Sequence, residues 1–234
     1  MKQTRRSRAA NRLRQMHDWL AEAYSPQHWW PAQTPFEVIV GAYLTQNTGW
    51  KAVERSLENL RLAGALTVDG LRSISIEELR NLIRPSGFYT RKAPALKAFV
   101  AMLDEEFGGS LEALAVAPTD KIRSRLLDLP GVGPETADAI LLYALGRAVP
   151  VADEYLRRIA ERHRLVTSPT NSIGYDVLSA LTREAFESDP PESHARLFNE
   201  FHALTVAVGK AHCGRNPRCE GCPLSKDLER AGNR

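Results

Sequence analysis

Residues 126–163 read LLDLPGVGPETADAILLYALGRAVPVADEYLRRIAERH, and the two glycines near the start decide how the chain around them folds. Gly131 and Gly133 permit a tight backbone turn that a Cβ would obstruct. Pro134 suits the first turn of a helix, where an N–H would find no intrahelical acceptor. Apolar residues recur at helical spacing on both sides, so the stretch is a pair of helices joined by a glycine turn, the second over Glu135–Leu145. Open N–H groups at such a turn and at the next helix start suit a phosphate. A contact of that kind fixes position on a nucleic acid without reading a base. It nominates Leu129, Gly131, Val132 and Gly133, although a hairpin that serves packing alone carries the same glycines. Glu135 falls at the exposed end of the second helix. Asp153 opens a third helix, Glu154–His163, where its carboxylate can cap the backbone and also project into a cleft.

The helical rhythm continues outward. Arg12 to Tyr24 is amphipathic, and the prolines of SPQHWWPAQTP break it. Pro35 to Leu44 and Trp50 to Ala63 are further helices separated by TQNTG. SIEELRNLI precedes a pause at RPSGFY, and Arg91 to Phe107 is stopped by Gly108 and Gly109. APTDKIRSRLLDL has Thr119 available as a cap, and later helical segments centre on Ala180 and Thr205. Scraps such as VIV suit strand or helix alike, and their neighbours favour helix. The expected fold is all-α. A chain of 234 residues can hold one large domain or two lobes. The division expected is a central helical domain over 34–146 and a second lobe from 1–33 with 147–234, with a cleft where the chain crosses between them.

Composition narrows the partners. The formal charge of +3 is small, but the opening MKQTRRSRAANRLR carries six basic side chains and no acid, a distribution that attracts a polyanion. No stretch is long and apolar enough to cross a bilayer, and the start lacks the hydrophobic middle of a secretory signal, so a cytoplasmic location without membrane contact is expected. The three cysteines are confined to HCGRNPRCEGCPL. An odd number crowded so closely is a poor disulfide framework and a good thiolate ligand set. Cys213, Cys219 and Cys222 suit zinc or iron–sulfur chemistry.

These motifs together resemble the endonuclease III superfamily of DNA glycosylases. LPGVGPETADAI is similar to its helix–hairpin–helix, and PVADEYLRRI to the segment carrying its catalytic aspartate. GAYLTQNTGWKAVERSLENL resembles its lesion-pocket helix start, IRPSGFYTRKAPAL its helix-connecting turn, and the cysteines its C-terminal iron–sulfur loop. The likeness spans residues from about 30 to 228.

The resemblance implies a two-lobed helix–hairpin–helix glycosylase fold acting, as a monomer, on double-stranded DNA that holds a damaged base. It gives Asp153 the task of stabilising charge on the deoxyribose, beside or instead of capping. Glu135 stands where bifunctional members have a lysine whose amine forms a Schiff base, so a monofunctional enzyme is implied. Gln46 corresponds to the residue that approaches the vacated base stack. Asn47, Trp50, Phe88 and Tyr89 are possible neighbours, Trp50 fitting a helical core as well. Lys92 is expected on backbone or phosphate rather than as a nucleophile. LTQNT with GPETADAI is closest to the 3-methyladenine branch, whose cationic bases an acidic or aromatic pocket would favour. A 4Fe–4S cluster is implied with three cysteines, since Leu228 stands where the family's fourth falls. Asp227 is the preferred substitute, with His212 or water as alternatives, as are zinc and a lost cluster. Lys210, Arg215 and Arg218 would make a basic surface beside it. The rival functions are a lesion-binding protein with little turnover and a weak abasic-site lyase.

Overall fold

The structure is a computed structural model that describes residues 6–24, 26–27, 29–30, 32–166 and 172–230, the last two through their backbone. Residues 1–5 of the basic opening run, and Ser25, His28 and Pro31 of the proline-rich break, lie outside that set. Helix is the only regular structure among the described residues. The chain divides into two compact units, Met1–Trp29 with Ala148–Arg234, and Trp30–Arg147.

The first unit holds α1 (Arg8–Ala23), α10 (Glu154–Arg162), α11 (Tyr175–Phe186), α12 (His194–Ala211) and the short α13 (Ser225–Arg230). Helix α1 starts earlier than its apolar rhythm suggests, because the Ser7 hydroxyl accepts the Ala10 N–H at 3.1 Å and caps it. Its buried face, including Leu13, Met16 and Leu20, packs on α11 and α12. Phe186 and Phe201 meet in the same core with ring centroids 5.5 Å apart.

The second unit holds α2 (Pro35–Thr45), α3 (Trp50–Leu62), α4 (Val68–Ser73), α5 (Ile76–Leu82), α6 (Tyr89–Phe107), α7 (Leu111–Val116), α8 (Thr119–Leu127) and α9 (Pro134–Ala139). Arg84–Ser86 forms a 3-10 turn before α6, and α9 runs on into a π turn over Ile140–Ala144. Helix α2, which contains VIV, is buried from Phe36 to Leu44 and packs against α3, α6, α9 and the π turn. Thr34 caps its start, and the buried Glu37 pairs with Arg61 at 2.7 Å. Gly108 ends α6 at φ 61°, a left-handed conformation that a glycine adopts freely. Thr119 is not a cap: extended Pro118 takes the boundary, and Thr119 is already the first helical residue.

Close approach of α10 to α12 rests on one missing side chain. A Cβ at Gly209 would lie 2.1 Å from Cδ1 and 2.8 Å from Cβ of Tyr155. Gly209→Ala is therefore expected to destabilise the protein by about 1–3 kcal/mol through overpacking, despite the roughly 1 kcal/mol by which alanine favours a helix interior over glycine. Urea denaturation measures this, and a more stable variant would show that Tyr155 moves aside freely.

Candidate active site and nucleic-acid interface

In the unit Trp30–Arg147, α8 and α9 form the hairpin anticipated from the glycines. Arg123 clasps the fully buried Asp138 through Nε at 2.7 Å and Nη2 at 3.0 Å, joining the two helices. Gly131 needs its freedom, with φ 76°. Gly133 does not, since its backbone is extended at φ −96°, and a Cβ there would meet nothing within 4 Å. Val132 is buried and its N–H donates to Leu129 O at 3.2 Å, so its side chain belongs to the core. Leu129 is half-buried, and Glu135 lies exposed in the first turn of α9.

The loop after α2 is stitched to this hairpin. Gln46 Nε2 donates to Gly131 O and to Thr136 Oγ1, both at 3.0 Å. Asn47 is exposed and left-handed at φ 51°. Phe88, at the start of α6, is also left-handed at φ 47°, yet 58% exposed. Non-glycine residues in that region carry strain that the surroundings must hold.

Lys92 is not on the surface expected of a phosphate contact. Its side chain is buried, and Nζ donates to Leu44 O, Thr48 Oγ1 and Ser86 O at 2.8, 2.8 and 2.9 Å. Burial pushes the ammonium down to about 8.

Trp50, named above as a possible neighbour of the lesion pocket or a core residue, joins an aromatic group with Trp30 and Tyr143 in the same unit. Trp30 meets Trp50 edge-on at 5.6 Å and Tyr143 at 5.3 Å. Its indole passes Gly41, where a Cβ would fall 3.2 Å from Cζ2. A glycine inside the apolar run of α2 was the available signal, since it marks a close approach. Trp50 belongs to this group, and its Nε1 donates to Glu54 at 2.8 Å.

In the other unit, Asp153 caps α10. Oδ1 accepts the Leu156 N–H at 2.8 Å, while Oδ2 lies 3.5 Å from Nε2 of the buried His202. Asp153 is 7% exposed. No spacing rule pointed to His202, which comes from α12, far along the chain. Lys210 of α12 sits over Trp29, with Nζ 5.4 Å from the ring.

The cysteine loop departs from the expected ligand set. None of the three cysteines is in a disulfide, and Cys213 is buried with Sγ accepting from Arg162 Nη1 at 3.0 Å. Burial pushes the Cys222 thiol up. Asp227 points its carboxylate elsewhere: Oδ1 takes Arg12 Nε at 2.9 Å, and Oδ2 takes Arg12 Nη2 at 2.6 Å and His163 Nδ1 at 2.8 Å. Both oxygens of Asp227 are thus engaged by Arg12 and His163. His212 Nδ1 lies 3.0 Å from Arg218 O. Among the described residues no group of three or more His, Cys, Asp and Glu is arranged to hold a metal ion.

Residues 40–179 match the HhH-GPD superfamily of base excision DNA repair proteins. The chain is 39% identical over 211 residues to the "Putative DNA repair glycosylase" of Methanocaldococcus jannaschii, covering 88% of this chain and 91% of that one. It is 28% identical to Endonuclease III of Bacillus subtilis, covering 81% and 78%. Among solved structures, the H. pylori 3-methyladenine DNA glycosylase MagIII, bound to 1,N6-ethenoadenine, superposes with a TM-score of 0.73 at 30% identity, covering 87% and 97%. The chain belongs to the HhH-GPD superfamily, the DNA glycosylases related to endonuclease III.

Asp227 supplies a prediction in two parts. Burial opposes its ionisation, but hydrogen bonds from His163 and Arg12 and their charges outweigh this and hold the carboxyl at about 2, against 3.8 for a free aspartate. A folded value below the unfolded one means that the stability it contributes is present above about pH 4 and lost as pH falls towards 2. Asp227→Asn should cost about 3 kcal/mol at pH 7, the scale for breaking a buried ion pair, and the deficit should shrink in thermal melts at acid pH. The iron content of anaerobically purified protein should be unchanged by the substitution. Iron lost from a folded variant would return the carboxylate to the ligand set.

Proposed function

We propose that this protein hydrolyses the N-glycosidic bond of a damaged base in double-stranded DNA, acting as a monomer and without an imine intermediate. The observation that carries this reading is Asp153, a carboxylate held at a helix start by its own cap and withdrawn from bulk water. As the bond between the base nitrogen and the sugar carbon breaks, the electron pair leaves with the base and positive charge develops on the deoxyribose. A fixed carboxylate in a low-dielectric setting stabilises that charge. It can then take the proton from the water whose oxygen bonds to the sugar carbon, the logic shared with other glycoside hydrolyses.

Glu135 supports the monofunctional assignment. A carboxylate cannot add to the sugar carbon as an amine does to form a Schiff base, so strand cleavage by that route is closed. The glycine turn at Gly131 and Gly133, open on its outer side, suits a phosphate. Gln46 and Phe88 suit the space left when a base is extruded: the amide oxygen of Gln46 can accept from an exposed base edge, and the exposed Phe88 ring can stack. The Trp30, Trp50 and Tyr143 group favours an alkylated, positively charged base over a neutral one. The ethenoadenine held by the H. pylori relative is in keeping with an alkylated purine.

A lesion-binding protein with little turnover is the competing reading, favoured by the absence of an amine at position 135. An oligonucleotide panel with alkylated, deaminated, oxidised and abasic sites separates the two. Wild-type protein should release an alkylated purine and leave a strand that breaks only after alkali, with little covalent adduct trapped by borohydride. Asp153→Asn should bind the same duplex but release base roughly a hundredfold more slowly, the scale for losing an electrostatic catalytic group. Efficient trapping would end the monofunctional assignment, and tight binding with no release from any duplex would establish the rival.

A further inference from the structure

Two loops of the unit Trp30–Arg147 carry the side chains offered above to a vacated base stack. One holds Gln46 and Asn47, the other Phe88. They are separated in sequence by the whole of α3, α4 and α5, so nothing in the local chain sets their spacing. One ammonium does. Lys92 Nζ reaches Leu44 O in the last turn of α2, Thr48 Oγ1 just beyond Asn47, and Ser86 O just before Phe88. Thr48 Oγ1 itself donates to Ser86 O at 2.6 Å, closing a ring of polar contacts between the loops.

We infer that Lys92 is a positioning residue that locks the Gln46 loop to the Phe88 loop, so that both meet a lesion-bearing duplex as one preassembled surface. The inference rests on the proposed reading of Gln46 and Phe88 as stack-filling groups.

Three features support it. The ammonium has three N–H groups and finds three oxygen acceptors, which fixes its place more tightly than one contact could. Strain lies on both sides of the knot: Asn47 and Phe88 each have a left-handed backbone, a conformation that persists only where neighbouring contacts enforce it. An arrangement held before DNA arrives spares the ordering cost that flexible loops would meet on binding. A lysine at 4% exposure, drawn inward from the surface, is spent on this task and on no phosphate.

The test uses the full chain and a duplex carrying a tetrahydrofuran abasic analogue opposite 2-aminopurine, whose fluorescence reports how the vacated stack is filled. Lys92→Met keeps the unbranched apolar stem of the side chain and removes its donors. Its affinity for this duplex should fall about tenfold, the equivalent of one or two lost hydrogen bonds, and the fluorescence change should disappear. Affinity for undamaged duplex, governed by phosphate contacts, should stay within about twofold of wild type. Asp153→Asn, run in parallel, should keep both the affinity and the fluorescence change on this duplex while losing base release from the alkylated oligonucleotides of the panel above. If wild-type protein releases no base, the glycosylase reading fails while the fluorescence comparison still decides Lys92. Wild-type affinity and signal in Lys92→Met, or equal losses on both duplexes, would overturn the inference. If circular dichroism shows Lys92→Met unfolded, Thr48→Val, which removes the hydroxyl shared by Lys92 and Ser86, is judged by the same criteria.

Discussion

Helix α2 is buried on every side from Phe36 to Leu44, while Thr34 and Pro35 at its start and Asn47 just past its end are exposed. Polar groups that it buries need partners within the protein, because an unpaired buried carbonyl or amide costs more than most contacts return. At its start Thr34 caps the backbone, and Glu37 accepts the Gln33 N–H while pairing with Arg61. At its end the Leu44 carbonyl takes the Lys92 ammonium. Much of the unit Trp30–Arg147 follows from these requirements. The lysine that serves the helix end also fixes the two loops beside it. Gln46, the residue at which the helix stops, reaches the hairpin.

Buried carboxylates in this protein are sorted by what they accept. Asp138 is wholly enclosed and clasped by Arg123, and Asp227 by Arg12 and His163. Each is balanced by an arginine in a forked hydrogen bond, the geometry best suited to neutralise a carboxylate. Asp153 is treated differently. It has a backbone N–H on one oxygen and an imidazole at 3.5 Å from the other. A cap fixes the orientation of the carboxylate without the charge balance that a forked arginine supplies.

The helical class was legible in the sequence because periodicity is a local property. The hairpin was legible because Gly131 and Pro134 each have a narrow set of permitted roles, and Asp153 because a capping aspartate before a helix is a local signal too. Thr119 was misplaced by a single residue, since Pro118 satisfies the same boundary without any side-chain bond. What stayed hidden depends on distant parts of the chain meeting. Lys92 looked like a surface cation because nothing in FYTRKA tells of three oxygens waiting for it. Asp227 looked like a ligand because it lies near cysteines along the chain, while its partners Arg12 and His163 come from α1 and the end of α10. His202 and the Trp30, Trp50 and Tyr143 group required contacts that no spacing encodes, though Gly41 left a trace.

The π turn at Ile140–Ala144 has a consequence for how this chain can vary in length. A π turn is in effect an α-helix that has accommodated one extra residue, and such turns gather at functional places. Each residue of an α-helix advances the side chains by about 100° around the axis. A lineage that lost one residue here would recover a regular helix and rotate every later position by that angle, carrying Tyr143 away from Trp30. A one-residue deletion could therefore dismantle the aromatic group without substituting any of its members.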